Sequence, residues 1–291
     1  MKGIILAGGS GSRLWPMTLS VSKQLIPVYD KPMLYYPLSL FLEGGIDEIL
    51  IICSPEGINL YRELLGDGKR LGVSFTYLVQ EKPRGIAEAF LLGEDFLENQ
   101  DACLILGDNL FHGGNIGSSI HRAKEEIKNY GGAYLFGTAV PDPGRFGVAE
   151  ISEDGVIISI EEKPKKPKSD IAVTGLYMYG SDVCERAKKL VPSNRGELEI
   201  TDLNMSFVEE NKAILSTFDR GITWLDTGTP ESLHSASSYV QAVQSNTGSM
   251  IACIEEVAWR MGLIDDSELA NSVKKYPDGN NYGDYVRSLV G

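Results

Sequence analysis

Lys2-Gly3-Ile4-Ile5-Leu6 is a short apolar run that passes directly into Ala7-Gly8-Gly9-Ser10-Gly11-Ser12-Arg13. A run of this length and composition is typical of a buried strand. Glycines at its end let backbone N–H groups approach a phosphate or a nucleobase closely, and a helix that begins there favours anions. The opening of the chain therefore predicts a first strand with a phosphate-binding loop at its carboxyl end.

Two common glycine motifs do not fit this loop. The dinucleotide fingerprint needs G-x-G-x-x-G, but Leu14 occupies its last position, and Cys53-Ser54-Pro55 stands where a ribose-binding acid is expected. A P-loop needs G-x-x-x-x-G-K-[ST], and the sequence contains no such run. A tight turn without a ligand is an alternative. Arg13, Lys23 and Gln24 follow the glycines closely and favour an anion site.

Strand-like and helix-like stretches alternate in the first half of the chain. Further buried-strand candidates lie at residues 48–53, 74–79 and 102–106, and helix candidates at 33–42, 57–65 and 86–97. This alternation predicts a Rossmann-like α/β fold, with a mainly parallel sheet and helices on both faces. Ligands of such sheets bind beyond the carboxyl ends of the strands. The glycine loop therefore lies at the predicted ligand-binding edge.

The pattern changes in the second half of the chain. Residues 146–151 and 156–161 are strand-like and flank Ser152-Glu153-Asp154-Gly155, which predicts an inserted β-hairpin with Asp-Gly at its turn. Other predicted elements are strands at 134–139 and 173–179 and helices at 118–129, 197–210 and 230–245. From Gly248 onward we predict a compact helical appendage without a phosphate-binding loop.

Composition and charge exclude several classes of partner. The 291 residues carry a net charge of −13 and no Lys/Arg stripe, so the protein should repel nucleic acids. The longest apolar runs are too short to cross a bilayer, and Met1 leads into the first strand without a signal peptide. The four cysteines show no metal-ligand spacing to each other or to the three histidines. We therefore expect a cytoplasmic protein with reduced thiols that binds neither nucleic acid nor membrane.

Longer motifs resemble those of the glucose-1-phosphate thymidylyltransferases. L-A-G-G-S-G-S-R-L-W-P at 6–16 and S-K-Q-L-I-P-V-Y-D-K-P-M-L-Y-Y-P at 22–37 are similar to the opening of these enzymes. The likeness continues at residues 79–87, 106–109, 160–164, 196–202 and 224–228 and so covers nearly the whole chain. The resemblance implies transfer of the thymidylyl group of dTTP to glucose 1-phosphate with release of pyrophosphate. In the family this is the first step of dTDP-L-rhamnose or other deoxysugar synthesis.

The resemblance also implies how the chain is divided. Residues 1–247 would form a nucleotidylyltransferase core, with nucleotide binding at about 1–110 and sugar-phosphate binding, including the hairpin, at about 111–247. Residues 248–291 would form a helical segment for oligomerisation or regulation. Family members with this longer tail are homotetramers with a secondary nucleotide site. A homotetramer with feedback inhibition by dTDP-rhamnose or dTTP is therefore implied.

Both substrates of the implied reaction are anions, so a single in-line displacement needs positioning and neutralisation of charge. The resemblance implies that Arg13 stabilises the departing pyrophosphate. It also implies that Lys23 contacts the nucleotide phosphates and that Lys163 contacts the sugar phosphate. Lysine provides a movable point charge, and the planar guanidinium of arginine provides several donors in a fixed geometry. Both residue types therefore suit phosphates.

Two aspartates are candidates for a metal site. Asp108 follows the predicted strand 102–106 after one intervening glycine. Asp226 is the last residue of the mainly apolar stretch I-T-W-L-D. Mg²⁺ commonly takes one or two protein carboxylates, with phosphate oxygens and waters as its other ligands. Taken alone, each aspartate is more typical of a helix cap or a turn than of a metal site. The family-like setting of both implies that they bind Mg²⁺ together and that Asp108, with the three cations, is catalytic.

The remaining implied contacts concern recognition. The resemblance implies that Gln80 and Gly85 recognise thymine through a side-chain amide and a backbone N–H, with help from Gln24. The full implied nucleotide-binding set is Gly8, Gly9, Gly11, Ser12, Arg13, Lys23, Gln24, Gln80, Pro83, Gly85 and Asp108. The implied sugar-phosphate-binding set is Asn109, Phe146, Gly147, Glu162, Lys163 and Val173. Phe146 stands where a tyrosine is common in the family, so a hydrogen bond from that hydroxyl is lost.

In the tail, Glu255, Glu256 and Arg260 are implied contributors to the regulatory site. The alternative is a solvated amphipathic helix whose apolar face is formed by Val257, Met261 and Leu263.

Two other functions stay open for the whole chain. One is a uridylyl- or guanylyltransferase on the same fold, because uracil differs from thymine by one methyl group. The other is a non-catalytic nucleotide-sensing subunit. Such a subunit should have lost charged site residues, whereas this chain keeps Arg13, Lys23, Asp108, Lys163 and Asp226.

Overall fold

The computed structural model describes residues 1–9 and 11–290. Its strands are β1 Lys2–Ala7, β2 Pro27–Val28, β3 Lys31–Pro32, β4 Glu48–Cys53, β5 Ser74–Val79, β6 Ala102–Leu106, β7 Asn109–His112, β8 Ala133–Ala139, β9 Gly147–Ile151, β10 Ile157–Glu162, β11 Ile171–Tyr179, β12 Ala213–Thr217 and β13 Thr223–Asp226. Its helices are α1 Tyr35–Glu43, α2 Ile58–Leu65, α3 Glu88–Leu92, α4 Glu94–Leu97, α5 Ile116–Tyr130, α6 Val183–Ala187, α7 Ile200–Val208, α8 Pro230–Thr247, α9 Ile254–Arg260, α10 Asp266–Ser272 and α11 Asn281–Ser288.

A nine-stranded sheet organises the fold. Strands β5, β4, β1 and β6 lie side by side in that order and run parallel. Strand β11 pairs antiparallel with β6, and β8, β9, β10 and β12 continue the sheet beyond it. The predicted α/β class with a mainly parallel sheet is therefore confirmed. Because β1 and β6 end at the same edge, the glycine loop and Asp108 come close together.

After their first residues, Lys2 of β1 and Glu48 of β4, the central strands are apolar because both faces of the sheet are covered there. Ile5 and Phe41 belong to the core on one face, together with α1, α5 and the tail. The adjacent Ile4 belongs to the core on the other face, where it joins Leu50 and Phe90. Successive strand residues point to opposite faces, so one uninterrupted apolar run fills both cores.

The predicted hairpin is present as β9 and β10. The backbone N–H of Ser152 donates to the Val156 carbonyl at 2.9 Å, and Gly155 has a φ of +81°. Glycine adopts this left-handed conformation without steric cost, which explains the Asp-Gly turn. The hairpin extends the sheet next to β11 and brings Glu162 and Lys163 to the end of β10.

Several predicted boundaries differ from the structure. The single helix predicted at 86–97 is divided into α3 and α4 at Gly93, where a Cβ would lie only 3.1 Å from Leu50 and 3.2 Å from Ile4. The helix predicted at 197–210 begins only at Ile200. The strand that ends at Asp226 belongs to a separate two-stranded ribbon with β7 and not to the central sheet.

The tail packs on the core through both apolar and charged contacts. Ile254 of α9 shares a hydrophobic core with α1. The Glu255 carboxylate is fully buried and accepts hydrogen bonds from Arg70 Nη1 at 2.7 Å, Tyr282 OH at 2.6 Å and Tyr276 OH at 3.1 Å. These contacts give Glu255 a structural role, so the helix is more deeply packed than a solvated amphipathic helix.

Glu256 and Met261 also differ from what a solvated amphipathic helix with Met261 on its apolar face predicts. Glu256 is buried and accepts from Tyr285 OH at 2.7 Å and from Arg260 Nε at 2.7 Å, while Met261 is 41% exposed. Binding of a nucleotide by Glu255, Glu256 and Arg260 stays a prediction. No helix in the described part of the chain is both long and apolar enough to span a membrane.

We predict that Glu255→Gln lowers the free energy of unfolding by about 3 kcal/mol, because breaking a buried ion pair leaves the Arg70 guanidinium without its anion. This figure is at the lower end for such pairs since the Arg70 side chain is 25% exposed. Urea denaturation at pH 7 would measure the loss. Glu63→Gln, at an exposed position on α2, is the matched control and should be neutral.

The same variant should show a defined pH dependence. Burial opposes the Glu255 charge, but Arg70, Tyr282 and Lys275 together outweigh it, so the pKa of Glu255 is lowered. A lowered carboxyl pKa stabilises the fold above the unfolded value and loses that effect as the pH falls through the folded value. The difference between wild type and Glu255→Gln should therefore shrink below about pH 4. Equal unfolding midpoints at pH 7 would contradict the assignment.

Candidate active site

A cavity of about 430 Å³ opens beyond the carboxyl ends of β1 and β6, between the first half of the chain and the hairpin. The predicted site residues that line it are Gly8, Gly9, Arg13, Gln24, Gln80, Pro83, Gly85, Asp108, Asn109, Phe146, Gly147, Glu162, Lys163, Val173 and Asp226. Arg13, Lys163 and both aspartates thus face the same space. Separate cavities for these groups would have contradicted the enzymatic interpretation.

The glycine loop forms one wall of this cavity. A Cβ on Gly8 would lie 2.6 Å from the Gln80 Oε1, so glycine allows that side chain to reach the loop. Gly11, Ser12 and Lys23 lie outside the cavity lining. Gly11 precedes a short 3₁₀ turn that carries Arg13 to the cavity. A role of Gly11 and Ser12 in nucleotide binding stays a prediction.

The two aspartates lie side by side. Asp226 is the last residue of β13 and is paired with Asn109, the first residue of β7. The backbone N–H and the hydroxyl of Thr227 donate to the Asp108 carbonyl at 3.1 and 2.7 Å. The Asp108 carboxylate accepts from the Lys23 ammonium and, at 2.9 Å, from Asn109 Nδ2. These contacts fix Asp108 beside Asp226.

The charges of the two aspartates are balanced unequally. Burial disfavours the Asp108 charge, but the Lys23 ammonium and the hydrogen bond from Asn109 together outweigh it, so the pKa of Asp108 is lowered. Burial and the neighbouring Asp108 raise the pKa of Asp226, against the opposing effects of Lys23, Arg13 and Arg145. Among the described residues, the Asp226 carboxylate accepts no hydrogen bond. A cation between the two carboxylates would relieve their repulsion, so the pair fits a divalent metal.

The donor set also limits which metal chemistry fits. Within residues 1–9 and 11–290, no three His, Cys, Asp or Glu side chains gather into an all-protein metal cage. A pair of carboxylates beside a cavity that is also lined by cations suits an ion that takes its other ligands from substrate and water.

Glu162 and Lys163 lie on the opposite wall, at the end of β10. The Thr201 hydroxyl donates to Glu162 Oε2 at 2.8 Å, and the Lys163 ammonium lies 3.1 Å from Glu162 Oε1. Lys163 has a φ of +45°, and its N–H donates to the Phe146 carbonyl at 2.9 Å. A positive φ is uncommon outside glycine and is often found at functional sites. This conformation ends the strand and leaves the lysine half-exposed at the cavity.

Asn109 joins the wall that carries the aspartate pair to the wall that carries Glu162. Its Oδ1 accepts from Trp224 Nε1 at 2.6 Å and from the Gly175 N–H at 3.2 Å. The Phe146 ring packs against Trp224 with 4.9 Å between ring centroids. The Asn109 Oδ1 therefore accepts two hydrogen bonds within the protein, and Nδ2 donates one to Asp108. The predicted contact with the sugar would use the second N–H of Nδ2.

Sequence reasoning missed two cations that line the cavity, Arg145 and Arg195. The Arg145 guanidinium lies over the Phe146 ring, and its Nη2 is 3.9 Å from Asp226 Oδ2. Arg195 forms an ion pair with Glu199 at 2.8 Å. Arg145 ends a short 3₁₀ turn between Gly144 and Gly147, and Arg195 directly precedes Gly196. The only sequence signal is that each lies next to a segment already identified, the hairpin for Arg145 and G-E-L-E for Arg195.

Comparison with known proteins identifies the family. A family model for nucleotidyl transferase matches residues 2–243. A glucose-1-phosphate thymidylyltransferase of Neisseria meningitidis serogroup A is 50% identical over 293 residues, covering 100% of this chain and 99% of that protein. One of Mycobacterium tuberculosis is 43% identical and covers 100% of this chain and 99% of that protein. The chain belongs to the nucleotidyl transferase family, among the glucose-1-phosphate thymidylyltransferases.

Solved structures agree with the fold of this nucleotidyl transferase. A Bacillus anthracis crystal structure, assigned as a glucose-1-phosphate thymidylyltransferase in complex with sucrose, is 45% identical with a TM-score of 0.76. The alignment covers 82% of this chain and 94% of that one. A UDP-glucose pyrophosphorylase complexed with UDP-glucose is 24% identical with a TM-score of 0.74, over 83% of this chain and 98% of its own. At that identity the second structure supports the fold alone.

Proposed function

We propose that this nucleotidyl transferase transfers the thymidylyl group of dTTP to glucose 1-phosphate and releases pyrophosphate, as the first step of dTDP-L-rhamnose or other deoxysugar synthesis. The observation that carries the proposal is the single cavity faced by Arg13, Lys163 and the pair Asp108 and Asp226. The relatives that align over the whole chain support the choice of donor and acceptor.

The reaction forms one P–O bond and breaks another. A phosphate oxygen of glucose 1-phosphate attacks the α-phosphorus of dTTP, and the bond to the β-phosphate breaks in line. Lys163 and Arg195 line the hairpin side of the cavity and would shield the attacking phosphate. Arg13, on the side of the glycine loop, would hold the leaving pyrophosphate. Positioning and neutralisation of charge suffice for this chemistry, so no side chain needs to form a covalent bond.

Mg²⁺ is the cofactor that we propose for the aspartate pair. Asp108 and Asp226 would hold it, and when bound it would add positive charge at the reacting phosphates. The Lys23 ammonium pairs with the Asp108 carboxylate. Lys23 is only 7% exposed and lies outside the cavity lining, so we propose that its charge attracts the nucleotide phosphates from beside Asp108.

Substrate recognition would be divided between the two walls. Gln80, Gly85, Pro83 and Gln24 would contact the nucleotide on the side of the glycine loop. The sugar would lie on the opposite wall, against Asn109, Phe146, Gly147, Glu162 and Val173. Gln24 is held in place, since the Tyr61 hydroxyl donates to its Oε1 at 3.2 Å.

We also propose a cytoplasmic homotetramer with feedback inhibition by dTDP-rhamnose. The oligomer and its inhibition are supported by the resemblance of residues 248–291 to the longer tail of some glucose-1-phosphate thymidylyltransferases.

Pyrophosphate release measured over a grid of nucleotides and sugar 1-phosphates tests this function. We expect the highest kcat/KM with dTTP and glucose 1-phosphate. The value for UTP should be lower by about 10- to 200-fold, because one methyl group gives only about 1–3 kcal/mol of discrimination. A higher kcat/KM for UTP or GTP would favour the uridylyl- or guanylyltransferase alternative. Nucleotide binding without any turnover would favour the sensing subunit.

A further inference from the structure

We infer that Glu88 is a positioning residue that sets base specificity: it fixes the orientation of the Gln80 amide, so that the site selects a pyrimidine with an N3–H, of the thymine or uracil type, against cytosine. The inference deepens the proposed function and rests on it, because it assumes that Gln80 contacts the base. It concerns a residue that lies in the first turn of α3 and outside the lining of the cavity.

The Gln80 amide is tied to a buried carboxylate. Its Nε2 donates to Glu88 Oε2 at 2.8 Å, and the two side chains are almost completely buried. Arg84 completes the arrangement, because its Nε donates to Glu88 Oε1 at 2.7 Å and its backbone N–H to Oε2 at 3.2 Å. The Glu88 carboxylate therefore holds three groups and cannot turn freely.

This contact decides which end of the Gln80 amide is the oxygen. An ionised carboxylate only accepts hydrogen bonds, so the amide must direct its NH₂ group toward Glu88. The Oε1 atom then lies on the other side, next to Gly8, where a Cβ would be only 2.6 Å away. Gly8 and Gln80 both line the cavity, so the fixed acceptor is at the cavity wall. A flipped amide would place oxygen against oxygen.

A fixed acceptor discriminates between pyrimidines. Thymine and uracil carry a hydrogen on N3 and can donate it to Oε1. Cytosine has a lone pair on N3, so the two acceptors would face each other without a hydrogen bond. A site built to pair with a donor rejects an analogue that lacks it, because the buried polar group is left unsatisfied. With a freely flipping amide the same site would accept either base.

The test compares dTTP with dCTP as substrates of the wild type and of Glu88→Gln. Glutamine has the same shape but can also donate, so it permits both orientations of the Gln80 amide. We expect the wild type to prefer dTTP over dCTP by at least about 10²-fold in kcat/KM and the variant to lose at least about ten-fold of this preference. The change should appear mainly in KM. Glu63→Gln, the same substitution at an exposed position on α2 outside the cavity lining, is the matched control and should keep the preference.

A substrate analogue tests the same contact without altering the protein. The wild type should use 3-methyl-dTTP, which lacks the N3–H, at least about 10²-fold less well than dTTP. If Glu88→Gln fails to fold, Glu88→Asp still offers only acceptors and should keep the preference for dTTP. An unchanged dTTP-to-dCTP ratio in folded Glu88→Gln, or efficient use of 3-methyl-dTTP, would overturn the inference. Failure of the wild type to turn over dTTP would instead contradict the proposed function.

Discussion

Asp226→Asn should lower kcat/KM by about 10²–10³-fold, the loss typical when one group that stabilises transition-state charge is removed. Asparagine keeps the shape of the side chain but not the charge that would attract a divalent cation. Binding of Mn²⁺ to the substrate-free protein should weaken in parallel, which gives a measurement independent of turnover. The two losses together would identify Asp226 as a metal ligand.

The same substitution should leave the fold intact or make it slightly more stable. Burial and the charge of Asp108 raise the pKa of Asp226. A carboxyl group with a raised pKa destabilises the fold at pH values above its unfolded pKa, because its charge is less favourable in the folded state. Removing that charge should therefore not lower the free energy of unfolding at pH 7. This prediction distinguishes a ligand from a residue that merely supports the structure.

Asp219→Asn provides the control for this experiment. Asp219 is exposed, lies seven residues from Asp226 along the chain and is outside the cavity. Its replacement should change neither turnover nor Mn²⁺ binding. If Asp226→Asn binds Mn²⁺ as tightly as the wild type, Asp226 is not a metal ligand and the aspartate pair must be reinterpreted.

The strands that position this site could be predicted from local sequence. β4, β5 and β6 begin and end at the predicted residues. β4 and β6 are almost continuous buried apolar runs, whereas β5 is an edge strand in which Ser74 and Thr76 are exposed. Parallel strands present their carboxyl ends at one edge, so the loop after β1 and Asp108 after β6 were placed correctly at a common cavity. For these strands, the local apolar pattern and the parallel arrangement of the sheet therefore predict the same position for the site.

The ribbon of β7 and β13 could not be predicted in this way. Each strand has four residues, too few to establish a periodicity, and their pairing joins Asn109 to Asp226 across more than a hundred residues. Arg145 ends a 3₁₀ turn and Arg195 lies in a turn, and neither local sequence predicts that the side chain reaches the cavity. Glu88 has the sequence setting of an ordinary glutamate in the first turn of a helix. Its contact with Gln80 exists only because the chain turns back between them.

Arg13→Gln should lower kcat by about 10³-fold, because arginines that stabilise charge in phosphoryl transfer are commonly worth 10³–10⁵-fold. The charge on the leaving pyrophosphate grows as the P–O bond breaks, so kcat should fall more than KM for dTTP rises. In the reverse reaction, KM for pyrophosphate should increase. Arg13→Lys retains the charge without the planar fork and should give an intermediate kcat.

The surroundings of Arg13 allow its effect on catalysis to be separated from effects on folding. Arg13 is exposed and forms no salt bridge with a described residue, so its removal should lower the free energy of unfolding only slightly, through the loss of its attraction to Asp226. Its Nη2 is 3.1 Å from the position of a Cβ on Gly228, two residues after Asp226, which places the guanidinium beside the aspartate pair. Arg122→Gln, at an exposed position on α5, is the matched control and should leave kcat unchanged. An equal fall in kcat for both variants would show that loss of positive charge alone, rather than its position at the leaving group, limits the reaction.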